Sequence, residues 1–189
     1  KYLRLGVLLL LVSCGGHTPP RNLDDACALT DERPSYLNAM QDAERRWGVP
    51  VHVQMATIYQ ESKFVGNAKT PRTFFLGFIP TGRQTSAYGY SQAIDGAWED
   101  YRQATGNYGA RRTSIEDATD FIGWYMDQAS QQLGISKYDA GNQYLAYHEG
   151  IAGYQRGNHN DKAWLLRVSS GVSSRADRYQ RQLIACGKL

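Results

Sequence analysis

The 189-residue chain is 42% hydrophobic with a net charge of +3, enough apolar content for one domain with a single sizeable core. So mild a charge excludes a nucleic-acid binder that works through a broad basic surface. Thirteen Tyr and four Trp against five Phe make the aromatic content mostly amphipathic, which suits either stacking on sugars or an aromatic-rich core.

The opening KYLRLGVLLLLVSCGG predicts a leader rather than part of the fold. Lys1 and Arg4 are cationic, and Leu5 to Val12 form an apolar stretch too short to span a bilayer as a helix. It ends in Leu11-Val12-Ser13-Cys14, which resembles a bacterial lipobox, in which the signal is cut before the cysteine and Cys14 receives lipid. The alternative is an ordinary signal peptide that contains a cysteine. Gly15, where Asp would imply inner-membrane retention, points within that resemblance to an outer-membrane anchor facing the periplasm. The first residue is Lys, which predicts that the sequence starts slightly inside the full gene product. The expected division is a signal peptide over 1–13, a lipidated N-terminus and tether over 14–33, and one folded domain over 34–189. Cys27 and Cys186 then remain. In an oxidising compartment the pair reads as a disulfide, worth roughly 4–5 kcal/mol at the upper end of the chain-entropy account. Two buried free thiols are the other reading.

The pattern after the tether is helical almost throughout. Leu37, Met40, Ala43 and Trp47 make one stripe ended by Gly48, and Pro50 stands where the next helix begins. From Val51 to Ser62 apolar residues occupy more than one face, which predicts a buried helix. Lys69 to Gln92 breaks the pattern with Pro, Gly, Thr and the apolar group Phe74, Phe75, Leu76, Phe78 and Ile79. It reads as a hairpin or flap over a cleft, or as a plain surface excursion. A short helix is expected at Ala97–Thr105. A capping-box-like start at Ser114 and Asp117 opens a helix that Gly134 ends. Further helices are expected at Gly141–Glu149, Lys162–Val168 and Ser174–Cys186, the last with Cys186 pointing inward. A mostly α domain follows.

Glu61 lies late in the apolar helix, where desolvation and the negative helix pole both disfavour its charge. A carboxyl held protonated near neutral pH is what a general acid for glycosidic cleavage needs. The bland alternative is a solvated helix-end glutamate or an ion-pair partner. Three short signatures decide between them: Glu61-Ser62, then Ala87-Tyr88-Gly89-Tyr90-Ser91-Gln92, then Ala146-Tyr147-His148-Glu149-Gly150. In this order and spacing the chain resembles the soluble-lytic-transglycosylase (SLT) domain, a lysozyme-like family related to goose-type lysozyme. The resemblance runs from about Tyr36 to Tyr154.

It implies a cleft enzyme that cuts peptidoglycan glycan strands between N-acetylmuramic acid and N-acetylglucosamine without water. Glu61 matches the catalytic acid/base and Tyr147 the tyrosine that aims it. Thr70 and Ser62 match cleft or loop-holding hydroxyls. Gly89, Tyr90, Ser91, Gln92 and His148 match the segments that bind sugar. Tyr90-Ser91 replaces an apolar Leu-Met pair and His148 replaces Asn, which puts the shape of the sugar subsites in question. Hydrolytic glycosidases typically use a second carboxylate, and none stands between Ser62 and Ile94. Asp95 reads more simply as a helix N-cap. The rival readings are a goose-type hydrolase of the same bond and a non-catalytic peptidoglycan-binding lipoprotein.

No cofactor and no metal are expected. Of His17, His52, His148 and His159, none pairs at helical spacing with an acid. The expected partners are glycan strands, a membrane through Cys14 and, as a further candidate, cell-wall or secretion machinery. Arg111, Arg112, Arg167, Arg175, Arg178 and Arg181 read as solvated faces or as partners for the carboxylates of muropeptide stems.

Overall fold

The structure, a computed structural model, describes residues 17–76 and 79–189; the leader, Cys14 and Phe78 lie outside the described residues. Eight helices and one hairpin form in them: α1 Ala26–Glu32, α2 Pro34–Trp47, α3 Val51–Ser62, β1 Arg72–Phe75, β2 Ile79–Arg83, α4 Asp95–Thr105, α5 Ile115–Leu133, α6 Ala140–Glu149, α7 Ile151–Gln155 and α8 Ala163–Ala185.

The local chemistry explains the boundaries. Asp25 caps α1, its carboxylate accepting from the amides of Cys27 and Ala28 at 2.9 and 3.0 Å. Pro34 begins α2, and Gly48 ends it at φ 72°, a left-handed turn with its amide on the Glu44 carbonyl. Ser114 caps α5 by accepting from the Asp117 amide at 3.2 Å. The reciprocal half of a capping box does not form, because the Asp117 carboxylate accepts from the Arg111 amide instead, at 2.8 Å.

The core is organised around α3. Every residue from Val51 to Ile58 is buried, and the helix touches α2, α5, α6 and α8. Gln54 is fully buried within it, and its amide donates to the carbonyls of Met40 and Val49, stitching α3 to the end of α2. The α2 and α5 helices approach closely at Gly123, where a Cβ would stand 2.6 Å from the Trp47 ring.

Three expectations need correction. The tether over 14–33 is shorter than expected, because residues 26–32 form α1 and Ala26 and Leu29 sit fully in the core. The helices expected at 162–168 and 174–186 are one continuous helix, α8. Leu165, Ser169, Val172, Ala176, Tyr179 and Leu183 run unbroken along its buried face, and the Ser169 hydroxyl donates to the Gly141 carbonyl. Packing on α3 and α6 thus overrides the weak helix propensity of the Ser-Ser-Gly run at 169–171. Cys186 is exposed rather than inward, since α8 ends at Ala185 and the stripe ends at Leu183. A disulfide joins it to Cys27 across 159 positions of chain.

The 69–92 segment forms an antiparallel hairpin in which Arg72 faces Arg83 and Phe75 faces Ile79. Leu76 and Ile79 at its tip are exposed, at 69% and 45%.

Candidate active site

Glu61 is delivered by the way α3 ends. Lys63 and Phe64 both take left-handed backbone conformations, φ 52° and 61°, without being glycine. Phe64 is nevertheless fully buried, stacked on Tyr36 at 5.9 Å between ring centroids, and this packing holds the turn. The chain therefore leaves the helix sharply one turn past the core, and Glu61 is left on the wall of a cavity of about 360 Å³. Phe121, Tyr125, Tyr147, Gln92, His148 and Glu149 line the same cavity. Its aromatic wall is continuous: the Tyr147 ring meets Tyr125 edge to face at 5.3 Å and Phe121 at 6.2 Å.

Burial pushes the Glu61 carboxyl from the ordinary 4.5 to about 7. A hydrogen bond from the Tyr144 hydroxyl and the nearby Lys63 charge pull the other way, and desolvation outweighs both. The hydroxyl whose hydrogen bonding favours the Glu61 charge is that of Tyr144, one turn before the tyrosine of the expected motif. Tyr147 lies close enough to feel the Glu61 charge, but its hydroxyl donates to the Ser91 carbonyl at 2.6 Å. The two tyrosines share one face of α6, so the i, i+3 spacing was a signal for Tyr144 that the short motif alone did not carry.

The Ser91 carbonyl belongs to the loop that forms the facing wall. Gly89 sits there at φ 79°, and a Cβ on it would lie 1.9 Å from the Arg112 carbonyl oxygen. Its amide donates to the Ala68 carbonyl at 2.9 Å, and the Tyr90 amide to that of Arg112 at 3.2 Å. The Gln92 side-chain amide spends its protons on the Ala68 and Gly89 carbonyls. Arg112 secures the far end, donating to the carbonyls of Ser86 and Ala93 and to Asp95 at 2.7 Å.

This geometry redistributes the expected sugar contacts. Gln92 and His148 line the cavity. Tyr90 and Ser91 do not: Tyr90 is 2% exposed with its hydroxyl on that of Tyr36 at 2.7 Å, and Ser91 is fully buried. Gly89 acts through its backbone, inside the loop. Thr70 does not line the cavity, and its hydroxyl donates to the Thr85 carbonyl at the hairpin base. The Ser62 hydroxyl turns back on its own helix, to the Ile58 carbonyl at 3.2 Å, rather than holding the following loop. Asp95 is the first residue of α4 rather than its cap, and it pairs with Arg112.

Glu149 is a second carboxylate in the cavity wall, beyond the acid-free stretch between Ser62 and Ile94. Its oxygens both accept from the Lys162 ammonium at 2.7 Å, and one stands 3.1 Å from His148 Nδ1. These partners, Lys162 first, hold it below the usual carboxylate range. The two carboxyls therefore differ in state at neutral pH: Glu61 at its titration point, Glu149 ionised and engaged. Among the described residues, no three His, Cys, Asp or Glu side chains gather as metal ligands.

A buried carboxyl raised to about 7, a tyrosine hydroxyl that favours its charge and an aromatic-walled cavity form a site suited to acid-assisted cleavage of a sugar linkage. No curated protein matches the chain. A family model described as "Transglycosylase SLT domain" matches residues 2–186, and with the mostly helical, lysozyme-like fold this shows that the chain belongs to the transglycosylase SLT domain family.

Proposed function

We propose that this protein is a peptidoglycan lytic transglycosylase that uses Glu61 alone as acid and then as base. Family membership supports peptidoglycan transglycosylase-type activity in general. The observation that carries the finer reading is the Glu61 carboxyl, brought to about 7 by burial on the cavity wall. At that value both protonation states are populated near neutral pH, as a group that must give and then take one proton requires.

The protonated Glu61 donates to the glycosidic oxygen as the bond from muramyl C1 breaks, and N-acetylglucosamine leaves with its 4-hydroxyl restored. Positive charge develops at C1, beside the resulting carboxylate. The muramyl C6 hydroxyl then attacks C1 and returns its proton to Glu61, leaving a 1,6-anhydromuramyl end and the acid regenerated. The attacking hydroxyl is part of the bound sugar, so the step is intramolecular and gains the advantage of a held reactant. Tyr144 orients the carboxyl throughout.

Glu149 favours a second reading, hydrolysis with that carboxylate activating water. Occupancy disfavours it, since both Glu149 oxygens already accept from Lys162. The address that suits the lytic reading is a lipid anchor at Cys14 in the outer membrane, facing the periplasm. The leader-like N-terminus supports it, and a disulfide is at home in that compartment.

Clearing of purified peptidoglycan by the wild type and by Glu61→Gln tests the assignment. The glutamine variant should fold and lose about 10²–10⁴-fold in rate, the usual scale of a general acid–base. Wild-type-like clearing by the variant removes Glu61 from its role. A folded wild type that binds the wall without clearing it supports the non-catalytic alternative.

A further inference from the structure

A second cavity, of about 350 Å³, lies beside the first, and Ala87 lines both. Lys69, Arg83, Tyr88, Asp95 and Arg112 line the second as well. Three cations thus face one carboxylate. Asp95 is already matched, since Arg112 holds it at 2.7 Å and spends its other nitrogen on backbone carbonyls. Lys69 stands with its ammonium 5.2 Å from the centre of the Tyr88 ring, and Arg83 donates to the Thr70 carbonyl. Among the described residues, neither Lys69 nor Arg83 pairs with a carboxylate.

The hairpin register adds to this. Arg72 lies directly opposite Arg83 on the antiparallel pair, so the two side chains leave the same face of the hairpin. Both are exposed, and like charges directly opposite each other repel. An anion between them would turn that repulsion into attraction. With a net charge of only +3, this is a local concentration of positive charge rather than a property of the whole surface.

We propose that this basic groove, with Lys69 and Arg83 as its main contacts, binds the carboxylates of the peptide stems carried by the glycan strand in the adjoining cavity. The inference rests on the lytic reading, because it takes the occupant of the first cavity to be peptidoglycan. A strand in that cavity carries lactyl-linked stems on its muramyl sugars, and those stems end in free carboxylates. The shared Ala87 wall makes the groove the neighbouring surface into which such a stem can extend. Lys69 and Arg83 are therefore specificity-determining groups and take no part in the proton transfers.

Three glycans separate the possibilities: strands with intact stems, strands with the stem carboxylates converted to amides, and strands stripped of stems. Affinity is measured on the full chain carrying Glu61→Gln, and turnover on the chain with Glu61 intact. Each is measured with and without Lys69→Ala and Arg83→Ala together. Intact stems should bind about tenfold more tightly than amidated or stripped ones, the scale of two exposed ion pairs. The double substitution should erase that advantage, raising KM for intact strands while leaving kcat and all kinetics on stripped strands unchanged. Arg83→Lys should keep most of it. Equal affinity for intact and amidated strands overturns the proposal while leaving the lytic reading in place, provided stripped strands are still cut. If no glycan is bound or cut, the lytic reading itself fails, and the proposal with it. Loss of binding to anionic phospholipid vesicles on double substitution, with glycan preference unchanged, overturns the proposal in favour of a membrane surface.

Discussion

A carboxyl at the end of α3 is cheaper to keep neutral than charged, and the consequences of that are measurable one residue at a time. With its folded-state value near 7, Glu61 loses its acid form as pH rises through neutrality. The alkaline limb of kcat/KM should therefore fall with a midpoint near 7. The Tyr144 hydrogen bond favours the ionised form, so Tyr144→Phe should move that limb to higher pH. It should also lower kcat by about 10–100-fold, the range for one hydrogen bond to a charged group. A pH–rate profile of the two proteins checks both effects. Stability responds in the same window. Between about 4.5 and 7 the native protein binds more proton at Glu61 than the unfolded chain does. This group's contribution therefore falls as pH rises through that interval, by on the order of 3 kcal/mol at most. Glu61→Gln has no such loss, so its stability relative to wild type should grow from pH 5 to pH 8 in denaturant titrations.

At the scale of elements, the chain shows why some roles could be read and others not. The burial of α3 was legible because apolar residues exceed one face, and Glu61 stood out against that background. Tyr147 was legible as part of a short motif, but the motif does not say which way a hydroxyl points. The packing of α6 against the end of α3 and against the 87–93 loop hands Glu61 to Tyr144 and the loop to Tyr147. Tyr90 looked like a cleft wall, yet its ring fills space against Gly66, where a Cβ would lie 2.7 Å from it, and its hydroxyl meets Tyr36. No local pattern encodes such a contact, since Tyr36 is 54 positions away. Glu149 stands in the third signature, but its neighbours in sequence do not reveal that it lines the cavity or pairs with Lys162. The loop itself depends on Gly89. Gly89→Ala would force a Cβ into the Arg112 carbonyl at a positive φ, and should cost at least about 2 kcal/mol of stability. Activity should fall with it, because the Ser91 carbonyl that Tyr147 holds moves too. Thermal unfolding and wall clearing measured together check this.

At the scale of the molecule, the domain is closed by its two ends. The Cys27–Cys186 bond joins α1 to the end of α8, and Lys188 reaches back to Asp31 at 2.7 Å. Cys186→Ser should lower stability by roughly 3–5 kcal/mol, as loss of so long a loop closure predicts, with the cavity geometry unchanged. Urea titration of oxidised wild type against the variant tests it. The helical class and the helix ends at Gly48 and Gly134 followed from local chemistry. The continuity of α8 did not, because its Ser-Ser-Gly stretch is held by partners far away in sequence. The hairpin was open between flap and surface excursion. Its strand β2 contributes Arg83 to the basic groove, and among the described residues neither β1 nor β2 lines the Glu61 cavity.

The central claim is that one carboxyl does the work of two. Mass spectrometry of the muropeptides released from purified peptidoglycan tests it most directly. The account predicts muramyl ends lighter by one water than hydrolysed ones, resistant to borohydride reduction, and absent from the Glu61→Gln digest. Hydrated, reducible muramyl ends as the main product would contradict it and transfer the second role to Glu149.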